Sequence, residues 1–456
     1  MNAGPGTWRW LLAVALVATS PVPLCAQDPA AAEPQPLTLQ QAVQQVMQTA
    51  PALRGAEAAV DRGRSGLRHA GAARLPGLAL EASAVRFAEP MIVAPLHGLD
   101  PGRPPVFDET LLQSQLVLSW TVWDGGVRSA RIERAAALLG AAEAGREVVR
   151  QALLLETVQT YLDAVLAGEV LRSQRARLDA AEGERQRAAD LLARGTVARV
   201  DVLRADAALS AARAEVLEAS GARAVADRSL ARLMGLTAEP AWTELEPLRL
   251  AAREELPDGD ALVARALAAS SELQAALRRV AAAAASVAEA RAAWLPRLQV
   301  GARYTEFASS LGRESGEWQS GVSLSYPLFT GGARNAAHAG AAAELEEAQA
   351  DAAQVELRVR QALDVARTAF ETAGARISAL AAAVAQAEEV ARIERLALEV
   401  GAGVQTNYLT AEAELLRTRV ALHGARHAEL VARAELARLI GELSETWLST
   451  NLEAVP

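Results

Sequence analysis

The sequence predicts a mainly α-helical protein with a smaller β part that belongs in a membrane. The segment LSWTVWDGGVR at 118–128 returns as LSYPLFTGGAR at 324–334, which is 206 residues later (324 minus 118). Each copy alternates apolar and small polar residues, as strands do, and then meets a Gly-Gly pair and a long proline-free stretch typical of helix. Because the same junction recurs in register, we interpret the chain as an internal duplication.

Composition excludes several classes of function. The chain has 456 residues and a net charge of −9, and its 46 basic residues are all arginine. A slightly acidic chain with interspersed charges argues against nucleic acid as a partner. The missing lysine excludes a Walker-type phosphate loop, and neither GxGxxG nor GxSxG occurs. We therefore expect no enzyme and no cofactor.

His423 and His427 are spaced for one metal ion, but no third ligand accompanies them, so we interpret them as a solvated pair.

The N-terminus is typical of a targeting segment. Arg9 precedes an apolar run at 10–19 that is too short to span a bilayer, which predicts a signal peptide over 1–26. Cys25 is the only cysteine, and it is a candidate for lipidation. However, Leu24 stands where a small residue is expected, so removal of Cys25 with the signal is the favoured alternative. No later segment offers the ~18 consecutive apolar residues of a helical span, so any membrane part must consist of strands.

The first repeat is expected over 37–236. Thr38 should cap the first helix, and Pro51 should break it. The predicted elements are helix to about residue 74, strands at about 78–87 and 111–123, and helices at about 127–193 and 199–233.

The second repeat is expected over 261–442, after a proline-containing linker at 237–260 and before a C-terminal tail at 443–456. Its predicted elements are helix at 261–293, strands at 298–305 and 318–329, and helices at 333–399 and about 407–441. The strand-to-helix corners of both repeats should turn at glycines, because a residue without Cβ tolerates a sharp turn. These corner residues are Gly125, Gly126, Gly331 and Gly332.

The length of the helices and the number of strands restrict the possible architectures. Helices of roughly 100 Å cannot bury themselves in a compact core, so we expect coiled-coil-like hairpins. In each repeat the two shorter helices, stacked end to end, should match the long one. The strands have the length and the two-faced pattern of outer-membrane strands. Four strands cannot close a barrel, since about eight are needed, and lipid does not tolerate open edges. The chain should therefore supply one share of an oligomeric barrel.

The same pattern predicts which strand residues meet lipid and which meet the lumen. Leu116, Leu118, Val322 and Leu324 should face lipid, whereas Gln115, Ser119, Ser323 and Ser325 should face the lumen.

Several segments together resemble the TolC-like outer-membrane efflux family, the outer-membrane factors of tripartite efflux or type I secretion systems. They are the two junctions at 119–128 and 325–334, the turns ARGTVARVDVLRA at 193–205 and EVGAGVQTNYLTA at 399–411, and the duplication itself. The resemblance covers about 38–441. It implies a homotrimer in the bacterial outer membrane, surrounded by lipid, with twelve strands in one barrel above a periplasmic helical tunnel. A periplasmic adaptor protein and an inner-membrane pump are the implied partners.

The resemblance also implies roles for residues near the two turns. The turns should contact the adaptor through Gly195, Thr196, Val197, Gly401, Ala402, Gly403 and Val404. Related channels carry acidic rings just past the second turn. Here Asn407 and Thr410 occupy that region, so a strong cation-binding ring is not expected. Asp201, Asn407 and Thr410 are candidates for a tunnel constriction, although Asp201 is better interpreted as a surface charge.

Three functions remain open at this point. The favoured one is passive export of small molecules such as drugs or metals, and the second is a duct for type I protein secretion. The third, a secreted structural coiled-coil protein, is disfavoured by the alternating strands.

Overall fold

The structure is a computed structural model, and it describes residues 36–94, 102, 104–237, 240, 242–251 and 259–454. The predicted signal peptide, with Cys25, lies outside the described residues. Every helix in the described part falls short of the combination of length and hydropathy that a membrane-spanning helix requires.

The elements follow one another as two copies of the same series. In chain order they are α1 (Leu39–Thr49), α2 (Pro51–Ala72), β1 (Gly77–Ile92), β2 (Phe107–Trp123), α3 (Val127–Ala193), α4 (Arg199–Leu233), β3 (Leu248–Leu250), α5 (Gly259–Ala269), α6 (Ser271–Ala292), β4 (Arg297–Ser309), β5 (Gly312–Ser325), α7 (Ala333–Glu399), α8 (Gln405–Leu439), α9 (Glu445–Asn451) and β6 (Leu452–Ala454).

Helices α3, α4 and α7 confirm the predicted bounds, whereas α8 begins and ends two residues earlier than predicted. Helices α3 and α7 have 67 residues each, and α4 and α8 have 35 residues each. Every one of these bounds is shifted by 206 between the repeats, as from Val127 to Ala333. No insertion therefore separates the two copies over their longest elements.

In each repeat, the helical segment before the two strands is broken into a short helix and a longer one. In the first repeat Pro51 begins α2, and Thr38 caps α1 in a reciprocal pair with Gln41. The prediction of one continuous helix at 261–293 was wrong, because Ser270 is extended and its side chain accepts a hydrogen bond from the Leu273 amide. Serine at an N-cap starts a new helix in this way without any proline.

The shorter helices stack end to end beside the long ones, as expected. Helices α2, α3, α6 and α7 lie side by side next to the sheet, and α4, α3, α8 and α7 lie side by side at the far end. Where α1 meets the end of α4, the Thr49 hydroxyl donates to the Met234 carbonyl at 2.9 Å. At the matching place in the second repeat, the turn after α8 brings Gly441 against Ala269.

The four long strands form one antiparallel sheet in the order β1-β2-β4-β5. Its register confirms the predicted alternation, because cross-strand neighbours share their chemistry. One row across the sheet contains Leu80, Leu116, Tyr304 and Trp318. The next row contains Glu81, Gln115, Thr305 and Glu317. The apolar row lies on an open face, since Leu80 and Trp318 are 77% and 75% exposed.

Several strand bounds differ from the prediction, since β2 begins at Phe107, β4 ends at Ser309 and β5 begins at Gly312 rather than at 111, 305 and 318. Strand β5 ends at Ser325, not at 329, because Pro327 lacks the amide proton that a ladder needs. Strand β1 continues to Ile92, beyond the predicted end at 87, through residues that the alternating pattern had not included.

A buried core joins the repeats midway along the helices. Residues 248–250 of the predicted linker and 452–454 of the predicted tail pair as β3 and β6, which the sequence pattern did not indicate. Helix α9 adds Trp447 and Leu448 to a core that includes Leu154 and Tyr161. The Tyr161 hydroxyl lies 2.8 Å from the Leu37 carbonyl oxygen and 3.0 Å from that of Glu246. The N-terminal segment, the linker and α3 are therefore held together at this level.

Candidate functional sites

The first hairpin tip is a tight glycine turn between α3 and α4. Gly195 has φ 73, and its amide donates to Leu192 at 2.9 Å. Both the amide and the hydroxyl of Thr196 donate to the Leu191 carbonyl, at 3.0 Å and 2.9 Å. These bonds satisfy carbonyls at the end of α3 that would otherwise lack partners. Gly195 and Thr196 are exposed at the end of the molecule opposite the sheet.

The second tip, between α7 and α8, turns more tightly. Gly401 has φ 77, and the amides of Ala402 and Gly403 both donate to the Ala397 carbonyl, at 2.9 Å and 2.8 Å. A Cβ atom on Gly403 would lie 2.7 Å from the Leu398 nitrogen. Glycine is therefore required at 403 for a close approach of backbone to backbone.

The two tips present different chemistry. The first exposes Arg194 and Arg199 on either side of its glycine. The second exposes Val400 and Val404, which are 77% and 56% exposed. Val197, the counterpart of Gly403, is half-buried. The first tip thus has exposed arginines that the second tip lacks, whereas Val200 at the first tip and Glu399 at the second are also exposed.

The structure gives the three predicted constriction residues different surroundings. One carboxylate oxygen of Asp201 accepts from the Ala198 amide at 3.3 Å, and the other lies 3.5 Å from Arg204. The Thr410 hydroxyl donates to the carbonyl one turn earlier in α8, at 2.8 Å. Asn407 is exposed, and its side chain has no hydrogen-bond partner in the described part of the chain. Asp201 therefore caps α4, whereas Asn407 is free to contact another molecule.

Sequence reasoning missed a polar cluster just behind the second tip. Tyr408 is 3% exposed, and the Arg395 guanidinium lies 5.9 Å from its ring centroid. Arg395 also binds Glu412 at 2.8 Å. From α3, Glu184 approaches with 5% exposure and an ion pair to Arg187 at 2.6 Å. Tyr408 is the only aromatic residue of the second tip segment, and that was the available signal.

Burial favours the neutral forms of Tyr408 and Glu184 in this cluster. It raises the pKa of Tyr408 to about 12, and the charges of Glu412 and Glu184 add to the effect. Burial likewise raises the pKa of Glu184. The hydrogen bond to Glu412 raises the pKa of Arg395, so the guanidinium stays charged and connects α7 to α8 through Glu412 and Tyr408.

The first strand-to-helix corner is tightly packed. Gly125 has φ 69, and a Cβ atom there would lie 2.5 Å from Cβ of Leu295. The Asp124 carboxylate accepts from the Gly126 amide at 3.2 Å and from Arg128 Nε at 2.9 Å. Arg128 also donates to two backbone carbonyls, at Ala73 and Val122.

The second corner has the same backbone but open surroundings. Gly331 and Gly332 have φ 59 and 84, and a Cβ atom at either would meet nothing within 4 Å. Thr330 stands where the first corner has an aspartate. Arg334 lies 4.9 Å above the Trp294 ring.

The interpretation of His423 and His427 as a solvated pair was wrong. Both side chains are half-buried, because α8 packs against α3 at this level. His427 Nε2 lies 2.8 Å from an Asp163 oxygen. Burial lowers the pKa of His423. Within the described ranges, no group of three or more metal-ligating side chains surrounds the pair.

Paired helical hairpins about 100 Å long next to an antiparallel sheet with an exposed apolar face are the architecture expected of an outer-membrane protein with strands in the membrane. Residues 42–236 and 262–442 match the model of the family described as outer membrane efflux protein. The chain belongs to this family. The family places the chain in the bacterial outer membrane, with its helices on the periplasmic side.

Curated relatives and solved structures agree with this assignment. The chain is 30% identical over 311 residues to the alkaline protease secretion protein AprF of Pseudomonas aeruginosa, covering 65% of this chain and 62% of that protein. It is 31% identical over 273 residues to protein CyaE of Bordetella pertussis, covering 58% and 56%. The chain thus spans about three fifths of the length of these relatives. The structure of the outer-membrane channel OprN is similar with a TM-score of 0.75 and 25% identity, covering 89% of this chain and 90% of that one.

Proposed function

We propose that the chain is one subunit of a homotrimeric, passive export duct. The observation that carries this proposal is the open sheet. Strands β1 and β5 are unpaired at its edges, and its apolar residues lie exposed on one face. In lipid, unpaired backbone groups are costly, so strands must close into a barrel. Three copies of four strands give twelve, which is enough for a barrel with an open lumen.

The helices continue the duct into the periplasm. The tips would contact a periplasmic adaptor that links the duct to an inner-membrane pump. Arg194 and Arg199 supply basic contacts at one tip, and Val400 and Val404 supply apolar contacts at the other. Two chemically different tips per subunit would require two different adaptor surfaces around the ring.

The constriction is proposed at the second tip rather than at both. Asn407 and Thr410 lie three residues apart on the exposed side of α8, so they share one face. Asp201 is engaged in capping α4, and moving it would break that cap. Hydrogen bonds between neutral amides and hydroxyls would stabilise the closed constriction by about 1 kcal/mol each. Binding of an adaptor that favours the open state can supply enough free energy to break bonds of this strength.

Small-molecule efflux is the cargo class that the family description supports. Protein secretion is a second candidate, because one relative at 30% identity is an alkaline protease secretion protein. The neutral constriction residues do not favour either cargo.

A deletion strain distinguishes the two cargo classes. Loss of the chain should increase susceptibility to a panel of toxic small molecules and metal ions, and the wild-type chain should restore resistance. If susceptibility stays unchanged while a secreted protein disappears from the culture medium, secretion is the function. Size measurement in detergent should show a trimer, and a stable monomer that keeps its strands would contradict the duct itself.

A further inference from the structure

A cavity of about 780 Å³ lies beside the buried core, where α3, α7 and α8 meet the linker strand β3. Its walls come from both repeats, since α3 belongs to the first and α7 and α8 belong to the second. Sites for small molecules in proteins enclose about 300–1,000 Å³. The cavity therefore has the size of a ligand site, although it lies far from the tips and from the sheet.

The cavity runs along two antiparallel helices. His427 of α8 lies 2.8 Å from Asp163 of α3, and His423 lies 3.9 Å from Glu169, so the two helices run in opposite directions here. The lining residues Leu162 and Leu430 therefore mark one end of the cavity, and Glu169 and His423 mark the other. These ends are about 10 Å apart, because each residue of a helix adds about 1.5 Å.

Apolar side chains line the cavity between the helices and β3. Leu162 and Leu430 are buried, whereas the others are half-buried and keep surface that a ligand can cover. An aliphatic chain placed against this surface would leave water, which is favourable in proportion to the area it buries. The apolar lining consists mainly of Leu162, Val165, Leu166, Leu248, Ile377 and Leu430.

The charged groups around the cavity leave an excess of positive charge. Glu169 is already bound to Arg172 at 3.0 Å, and the other lining carboxylate, that of Glu429, has a partner of its own. Arg426 lines the cavity, is exposed, and forms no ion pair in the described part of the chain. His423 lies one turn earlier on the same face of α8. An anionic group beside Arg426 and His423 would therefore be attracted without competition from a neighbouring carboxylate.

We propose that this cavity binds a single-chain anionic lipid. The acid group lies beside Arg426 and His423, and the acyl chain runs along Leu166 toward Leu162 and Leu430. A cationic amphiphile would be repelled by Arg426, and a fully polar anion would leave the apolar lining uncovered. Free fatty acids and lysophospholipids with an acidic head group share the required chemistry.

The site is separate from the path of the cargo. Strand β3 lines the cavity and pairs with β6, so these segments form an additional layer on this side of the helices. Three such layers inside the proposed ring would fill its lumen. The cavity therefore opens to the periplasm, and the proposal goes beyond the export duct.

Binding of radiolabelled dodecanoate to the full-length protein in amphipol, measured by equilibrium dialysis, tests the acid group. We expect saturable binding of one molecule per chain. Arg426→Ala should weaken this binding at least tenfold, because it removes the arginine that has no carboxylate partner. The matched control is Arg417→Ala, which removes an exposed arginine of the same helix outside the cavity. This control should bind dodecanoate like the unchanged chain.

A second variant tests the cavity itself. Ser378 is exposed and lines the cavity, and its hydroxyl donates to the Gly374 carbonyl of the same helix at 3.3 Å. Ser378→Trp places a large ring in the space without removing a buried side chain. It should reduce dodecanoate binding at least tenfold while the helical circular dichroism stays unchanged.

The choice of probe tests the chemistry of the ligand. Dodecanol and dodecyltrimethylammonium carry the same chain without a negative charge, so they should bind at least tenfold more weakly than dodecanoate. Lauroyl lysophosphatidate carries a phosphate on the same acyl chain, and the tighter binder of the two anions identifies the source of the ligand. Equal binding of dodecanol and dodecanoate would overturn the proposal. Dodecanoate binding that neither Arg426→Ala nor Ser378→Trp reduces would also overturn it. Neither result bears on the export duct, which trimer size and the deletion strain test separately.

Discussion

The two strand-to-helix corners share a backbone plan and differ in what surrounds it. At the first corner the buried Asp124 forms an ion pair with Arg128, and Leu295 fills the space beside Gly125. At the second corner, threonine replaces the aspartate and the space beside Gly331 is open. Both copies of the corner keep the same turn geometry. Only at the first corner does another part of the chain pack against the glycine. The same turn thus stands in a packed environment at one corner and in an open one at the other.

The largest expected difference between the corners concerns the ion pair of Asp124. Asp124→Ala leaves the Arg128 guanidinium, whose side chain is 15% exposed, without its counter-charge. It also removes the acceptor for the Gly126 amide. We expect a loss of about 3–5 kcal/mol in the free energy of unfolding. Thr330→Ala is the matched control, and its cost should stay below about 1 kcal/mol. Denaturant unfolding followed by helical circular dichroism measures both, and equal losses would contradict the comparison.

The second difference concerns the glycines themselves. Gly125→Ala combines a left-handed backbone with a clash against Leu295, so we expect a loss of about 2–5 kcal/mol. Gly126→Ala is the control, since the nearest atom to its Cβ would be 4.0 Å away. It should cost only the backbone strain, about 1–2 kcal/mol.

Gly331→Ala sharpens this comparison. It should cost only the backbone strain, about 1–2 kcal/mol, because a Cβ atom there would meet nothing within 4 Å. Denaturant unfolding followed by helical circular dichroism measures this loss beside that of Gly125→Ala. Equal losses at the two positions would contradict the comparison.

Equivalent positions in the sheet should behave alike, in contrast to the corners. Leu118→Arg and Leu324→Arg should each cost about 2–4 kcal/mol if they lie near the middle of the bilayer. Ser119→Arg and Ser325→Arg, their neighbours on the polar face, should cost far less. Refolding into lipid vesicles at graded denaturant concentration measures these losses. If the serine variants lose as much as the leucine variants, the assignment of faces is wrong.

The smallest expected effect lies at the tips. Gly403→Ala places a Cβ atom 2.7 Å from the Leu398 nitrogen, so we expect a local loss of about 1–2 kcal/mol. Val197→Ala at the first tip should change stability by less than about 1 kcal/mol, because the half-buried side chain loses only two methyl groups. Hydrogen exchange of the tip amides reports both. Faster exchange at Val197→Ala than at Gly403→Ala would reverse the expected order.

The sequence by itself determined the helices, the corners and the alternation of the sheet, because these depend on local signals. Glycine permits a positive φ wherever it stands, proline breaks a ladder or a helix locally, and period-two hydrophobicity specifies which residues share a face. Because the sequence repeats after 206 residues, the assignment of helices in one half could also be applied to the other half. For this reason the bounds of α3, α4 and α7 could be predicted to the residue.

Only the tertiary structure decided which of these local elements found partners. The pairing of β3 with β6 joins segments about 200 residues apart, and three-residue strands carry too weak a pattern to show it. The burial of Tyr408 and Glu184 requires α8 and α3 to lie side by side. The same holds for the corners, whose glycines look equivalent in sequence although only Gly125 is packed. A local pattern specifies the conformation of a segment, whereas its environment depends on contacts between residues far apart in the chain.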